Sequence, residues 1–64
     1  MTYQERLKAL REDHDFTQTE IANKLNISQI TYSQYERGVR GIPIEIILKL
    51  SELYRVTTDY ILKG

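Results

Sequence analysis

The pattern Thr-x-x-Glu occurs twice, as Thr2-Tyr3-Gln4-Glu5 and as Thr17-Gln18-Thr19-Glu20. At a helix start the threonine hydroxyl can accept from the N–H three residues on while the glutamate reaches back to the threonine N–H, so each reads as a capping box. The residues after each box keep helical spacing. Tyr3, Leu7 and Leu10 fall on one face of a first helix ending near Asp13, and Ile21, Ala22 and Leu25 form the inward stripe of a second. Ser28 can cap a third helix running through Arg37, with Gly38 where a left-handed residue would end it. A fourth helix starts near Pro43, a residue favoured in the first turn, and sets Ile44, Ile47, Ser51 and Tyr54 on one side with Leu50 close by. Thr57 caps a short fifth in which Ile61 and Leu62 close the core. Alternation of apolar and polar residues is scarce, so the expected fold is all-α, a compact bundle of five short helices.

With 64 residues the chain is expected to form one domain, residues 1–64, near the lower end of what folds unaided. It has no cysteine, which excludes disulfides and thiolate metal sites and favours an intracellular setting. No apolar run approaches the ~20 residues of a membrane-spanning helix. Met1-Thr2-Tyr3-Gln4-Glu5 lacks the basic and apolar regions of a signal peptide, so the expected address is cytoplasmic with no membrane partner. His14 is the sole histidine, and Asp13 and Asp15 flank it without the spacing of a metal site or a nucleophilic triad. An enzyme is therefore not expected, nor any cofactor, metal or small-molecule ligand. Nine basic residues balance nine acidic ones. The stretch 26–44, with Arg37 and Arg40 against Glu36, is the one net-positive segment.

At about 100° per residue, Tyr32 and Tyr35 turn one side of the third helix inward. Ile30, Ser33, Gln34 and Arg37 then lie on the opposite face, with Gln29 projecting from the exposed first turn. Glutamate, lysine and alanine would more often fill a face whose only task is solubility. Glutamine instead offers an acceptor and donors to adenine in the major groove, serine can bond to base edges or phosphate, and isoleucine suits a thymine methyl. Two helices joined by a turn of three or four residues can set the second in the major groove while the first crosses the phosphate backbone. Gln18 would then stand at the start of the crossing helix, where its amide and the unpaired N–H groups can meet a phosphate oxygen.

The run Phe16-Thr17-Gln18-x-Glu20-Ile21-Ala22-x-x-Leu25-x-Ile27-Ser28-Gln29-x-Thr31-Tyr32-Ser33-x-Tyr35-Glu36-x-Gly38 resembles the helix-turn-helix domains of Cro and phage-repressor type, also called XRE-like or lambda-repressor-like. The resemblance extends through Arg6-Leu7-Lys8-x-Leu10-Arg11-Glu12 before this run and from Ile44 to Leu62 after it, covering essentially the whole chain. It implies that the second and third helices, about residues 17–37, form a helix-turn-helix that binds double-stranded DNA sequence-specifically. The implied role is that of a transcriptional regulator, expected to be a repressor, with the third helix in the major groove. By the same resemblance Gln18 contacts phosphate and braces Gln29, which reads a base. Ser28, Ile30, Ser33 and Gln34 add base or backbone contacts, Arg40 approaches phosphate, and Thr17 and Arg37 complete the expected DNA-binding set. Arg11 and Glu36 are implied to pair in a structural salt bridge and not to touch DNA.

Two departures from the family pattern stand out. Arg55 ends the fourth helix where many relatives carry glycine or asparagine, which leaves that turn either strained in the left-handed region or differently capped. The zero net charge predicts weak, salt-sensitive binding by a single copy, so a homodimer on a pseudo-palindromic operator is expected. Ile46 and Leu53, seven residues apart and off the main stripe of the fourth helix, are expected to contribute to the dimer patch. The alternative reading is a protein-interaction module that keeps the fold without DNA.

Overall fold

Helix starts in this chain are set by hydroxyl side chains. In the computed structural model, which describes residues 2–63, the Thr2 hydroxyl accepts from Glu5 N–H while Glu5 accepts from Thr2 N–H, and Thr17 and Glu20 repeat the arrangement. Met1 and Gly64, the two ends of the expected 1–64 domain, lie outside the described residues. The Ser28 hydroxyl accepts from Thr31 N–H, and that of Thr57 from Tyr60 N–H. From these starts run α1 (Tyr3–Asp13), α2 (Gln18–Leu25), α3 (Gln29–Arg37), α4 (Ile44–Tyr54) and α5 (Thr58–Lys63), and no strand occurs among the described residues. Pro43 is the cap just before α4 rather than part of its first turn.

Four of the helices close in the same way. The N–H of Phe16, Ile27, Val39 and Val56 reaches back to the carbonyl of Arg11, Ala22, Gln34 and Ser51 respectively, at 3.0–3.2 Å. In each case the residue just before the donor sits in the left-handed region: Asp15 (φ 58°), Asn26 (φ 60°), Gly38 (φ 73°) and Arg55 (φ 56°). These are Schellman-type endings, which satisfy carbonyls that the helix itself leaves unpaired. Arg55 thus takes the strained of the two expected options. The Ser51 hydroxyl supports that turn by donating to the Val56 carbonyl at 2.6 Å.

α1 packs on α3 and α5, α2 on α3 and α4, and α4 on α5. Leu7, Ile21, Leu25, Tyr32, Ile47, Leu50 and Ile61 are fully enclosed between them, and Leu10, Ala22, Tyr35, Ile46 and Tyr54 complete the core. The Arg6 guanidinium, 4.2 Å from the centre of the Tyr60 ring, ties α1 to α5 at the surface.

The inward face of α4 differs from the expected one. Ile46 is buried at 7% exposure and Leu53 is half-buried against the core, whereas Ile44 is 59% exposed. The buried arc, Ile46, Ile47, Leu50, Leu53 and Tyr54, is rotated by about 80° from the expected stripe at 100° per residue. The reason is that α4 must cover α2 and α5 together. Ile46 and Leu53 are therefore core residues and cannot form an exposed dimer patch. Leu62 is likewise exposed, and Ile61 alone of that pair enters the core.

The rotation makes a measurable difference. Ile46→Ala should cost about 2–5 kcal/mol in urea unfolding, as core truncations do. Ile44→Ala should stay within about 0.5 kcal/mol of the parent. Equal costs would contradict the orientation of α4.

Candidate nucleic-acid interface

Three residues, Asn26, Ile27 and Ser28, separate α2 from α3. Asn26 turns the chain with its left-handed backbone, Ile27 anchors the turn against the core, and Ser28 opens α3. The Ser28 hydroxyl also donates to Thr31 Oγ1 at 2.9 Å. With Tyr32 and Tyr35 buried, α3 turns Ile30 outward at 68% exposure, together with Gln29 and Arg37. Ser33 and Gln34 share that side but are half-buried. The expected face is present, and its centre is better shielded than its ends.

Behind this face α3 is held to α1 by an ion pair. Arg11 Nε donates to Glu36 Oε2 at 2.7 Å and Nη2 to Oε1 at 3.3 Å, while Nη1 donates to the Phe16 carbonyl at 3.0 Å. The two side chains are only 12% and 5% exposed. Burial alone would raise the Glu36 pKa. The Arg11 guanidinium, the Tyr32 hydroxyl and the Gln18 amide outweigh it and hold the carboxyl below its ordinary value, while the hydrogen bond to Glu36 raises Arg11. The buried Tyr32 and Tyr54 hydroxyls reach no partner at full hydrogen-bond geometry, although Tyr32 faces Glu36 closely enough to act on it. Burial and then the Glu36 charge push Tyr54 up to about 12, and Tyr32 moves in the same direction.

A line of side-chain hydrogen bonds runs from this ion pair to the outer face. Gln18 Nε2 donates to Glu36 Oε1 at 3.2 Å, and Gln29 Nε2 donates to Gln18 Oε1 at 2.7 Å. At the other end of α3, Arg40 Nη1 donates to Gln34 Oε1 at 3.2 Å. Four of the site residues expected from sequence are thus joined in two pairs, Gln18 with Gln29 and Gln34 with Arg40. Thr17 uses its N–H and one hydroxyl lone pair in the capping box, and its hydroxyl also faces the Glu20 carboxylate closely enough to help hold that group below its ordinary pKa. The first N–H groups of α2 lie beside it without intrahelical partners.

Val39 was not among the expected site residues. Phe16, Ile27 and Val56, which follow the other left-handed residues, all pack against the core, but Val39 is 66% exposed beside Arg40. The repeated pairing of a left-handed residue with an apolar one, Asp15-Phe16, Asn26-Ile27 and Arg55-Val56, is the signal that marks Val39 as the exception. A β-carbon at Gly38 would stand 3.2 Å from Gln4 Nε2, so the end of α3 also packs closely on the start of α1.

A family model described as helix-turn-helix matches residues 7–61. The HTH-type transcriptional regulator ImmR of Bacillus subtilis strain 168 is 47% identical over 62 residues, 97% of this chain and 49% of that protein. An uncharacterized HTH-type transcriptional regulator of the same organism, YobD, is 37% identical over 60 residues, 94% of this chain and 54% of its own length. The chain spans about half the length of these curated relatives. The crystal structure of the P22 c2 repressor protein in complex with synthetic operator 9T superposes with a TM-score of 0.91 at 30% identity, covering 100% of this chain and 97% of that one.

The ion pair predicts how stability depends on pH. A carboxyl whose folded pKa lies below its unfolded value stabilises the fold above the unfolded pKa, and that contribution is lost as pH falls through the folded value. Thermal unfolding should therefore be level near neutrality and decline below the ordinary 4.5 of Glu36. Glu36→Gln should lower the melting temperature at pH 7, because Arg11 loses its charge partner at a cost of about 3–5 kcal/mol. It should also flatten the acid decline. Glu5 and Glu20, held below their ordinary values by the backbone N–H groups of Thr2 and Thr17, leave a residual slope.

Proposed function

The chain belongs to the helix-turn-helix family, and from that membership we propose that it binds double-stranded DNA sequence-specifically in the cytoplasm and represses transcription, with α3 in the major groove. The observation that carries this reading is the contact between Gln18 and Gln29 at 2.7 Å, which joins the start of α2 to the outer face of α3. In a helix-turn-helix those two places meet phosphate and base edge respectively. ImmR is named as a transcriptional regulator and P22 c2 as a repressor seen with an operator, which supports DNA regulation over an interaction-only module. The family is a non-enzymatic one.

Each group then has a role that its chemistry suits. Gln18, Thr17 and the first N–H groups of α2 meet phosphate at the positive end of the helix dipole. Gln29 and Gln34 read base edges, Ser28 and Ser33 reach base or backbone, and Ile30 lies against a thymine methyl. Arg37 and Arg40 neutralise phosphate. Since the chain carries no net charge, a single copy binds weakly, and two copies on one operator compensate. The dimer is a homodimer through α4 and α5, where Ile44, Leu48, Tyr60 and Leu62 expose apolar surface. Its nearly palindromic half-sites lie about one turn of DNA apart.

Selection from a random duplex pool should return a symmetric or half-site motif. Gln29→Ala combined with Gln34→Ala should abolish the preference for that motif with little change in melting temperature. Arg37→Ala should weaken all duplexes alike and reduce the slope of log affinity against log salt by about 1. A parent protein that shows no salt-dependent duplex binding would refute the reading. For the dimer, sedimentation on operator DNA should show two copies per site, and a single copy at saturation would refute it.

A further inference from the structure

We propose that Glu36 is a positioning residue for base recognition, fixing through the Gln18 amide which way round the Gln29 amide faces the groove. This rests on the DNA-binding reading above. A glutamine amide in isolation has two nearly equivalent orientations, related by exchange of its oxygen and its NH2 group. An ionised carboxylate has no proton to donate, so an amide packed against it must present nitrogen. Gln18 Nε2 accordingly faces Glu36 Oε1 at 3.2 Å. That choice turns Gln18 Oε1 away from the ion pair, where it can only accept, and Gln29 meets it with Nε2 at 2.7 Å. Gln29 Oε1 and the second N–H of Gln29 are left for other partners. Reversing any member of the line would set oxygen against oxygen or NH2 against NH2.

The origin of the line is itself held in place. Arg11 grips Glu36 through Nε and Nη2 and braces itself on the Phe16 carbonyl through Nη1, so the carboxylate does not rotate to follow the amides. The direction is thus set by a buried charge pair and carried outward by two neutral groups to the exposed first turn of α3. One acceptor and one N–H, side by side and already oriented, match the N6 donor and N7 acceptor of adenine. Holding them so in advance also avoids ordering the side chain on binding. Glu36 therefore acts on base preference without touching DNA.

The test measures a ratio, because a ratio cancels the sequence-independent phosphate contact of Gln18. A duplex selected by the parent protein from a random pool is altered one base pair at a time, and the pair whose preference disappears in Gln29→Ala is taken as the Gln29 pair. The affinity ratio of preferred to altered duplex at that pair is then compared in the parent, in Glu36→Gln, and in Arg11→Met combined with Glu36→Met. The double variant removes the carboxylate without leaving a buried unpaired charge. In either variant that melts cooperatively the ratio should fall about fivefold or more, with ratios at pairs not read by Gln29 unchanged. An unchanged ratio in a folded variant overturns the proposal. In the free parent, nuclear Overhauser contacts should link the Gln18 amide protons to the Glu36 methylenes and the Gln29 amide protons to those of Gln18. Freely rotating amides there would overturn it without reference to DNA. If the parent selects no sequence, the DNA-binding reading itself fails and this proposal fails with it.

Discussion

The Arg11–Glu36 ion pair is the interaction on which the arrangement of the exposed face depends. It spans α1 and α3, almost out of water, and each partner has further hydrogen bonds that make its burial tolerable: Arg11 to the Phe16 carbonyl, Glu36 from the Gln18 amide. A buried pair of this kind is weak evidence for net stability, since well-packed apolar residues often do as well. What it supplies here is direction. Apolar contacts around Tyr32 and Tyr35 hold α3 against the core but do not specify how a polar side chain on its far side is oriented, whereas a charge with only acceptors does.

The same economy shows in the charge of the surface. A chain with zero net charge gains little from general attraction to a polyanion, so a larger share of any sequence preference must come from oriented neutral groups. The two glutamine pairs meet that requirement in different ways. Gln29 is oriented from the interior through Gln18, and Gln34 from the surface through Arg40. The first is anchored to a buried ion pair, the second to an exposed side chain, so the first turn of α3 is the more rigidly organised end.

Much of the fold was legible in the sequence because its determinants are local. Thr2 and Glu5, Thr17 and Glu20, and Ser28 and Thr31 are three residues apart, and their hydrogen bonds form whatever the rest of the chain does. Gly38 announced its left-handed turn, whereas Asp15 and Asn26 adopt the same backbone without a sequence signal strong enough to single them out. The outward face of α3 was legible too, since two tyrosines at helical spacing leave only one side for Ile30 and Arg37. The contact between Gln29 and Gln18 was reached only through family resemblance, and the hydrogen bond from Gln18 to Glu36 not at all, because no spacing rule links side chains on different helices.

The sequence by itself determined where the helices begin, that there are five of them, and which side of α3 faces outward, because capping and helical periodicity act within a few residues. Only the tertiary structure decided the rotation of α4, which brought Ile46 and Leu53 inside and left Ile44 and Leu48 out, and the direction of the amide line from Glu36 to Gln29. Both are outcomes of one element being pressed between others: α4 covers two neighbours at once, and the Glu36 carboxylate acts on residues that the chain brings to it only after α1, α2 and α3 have packed.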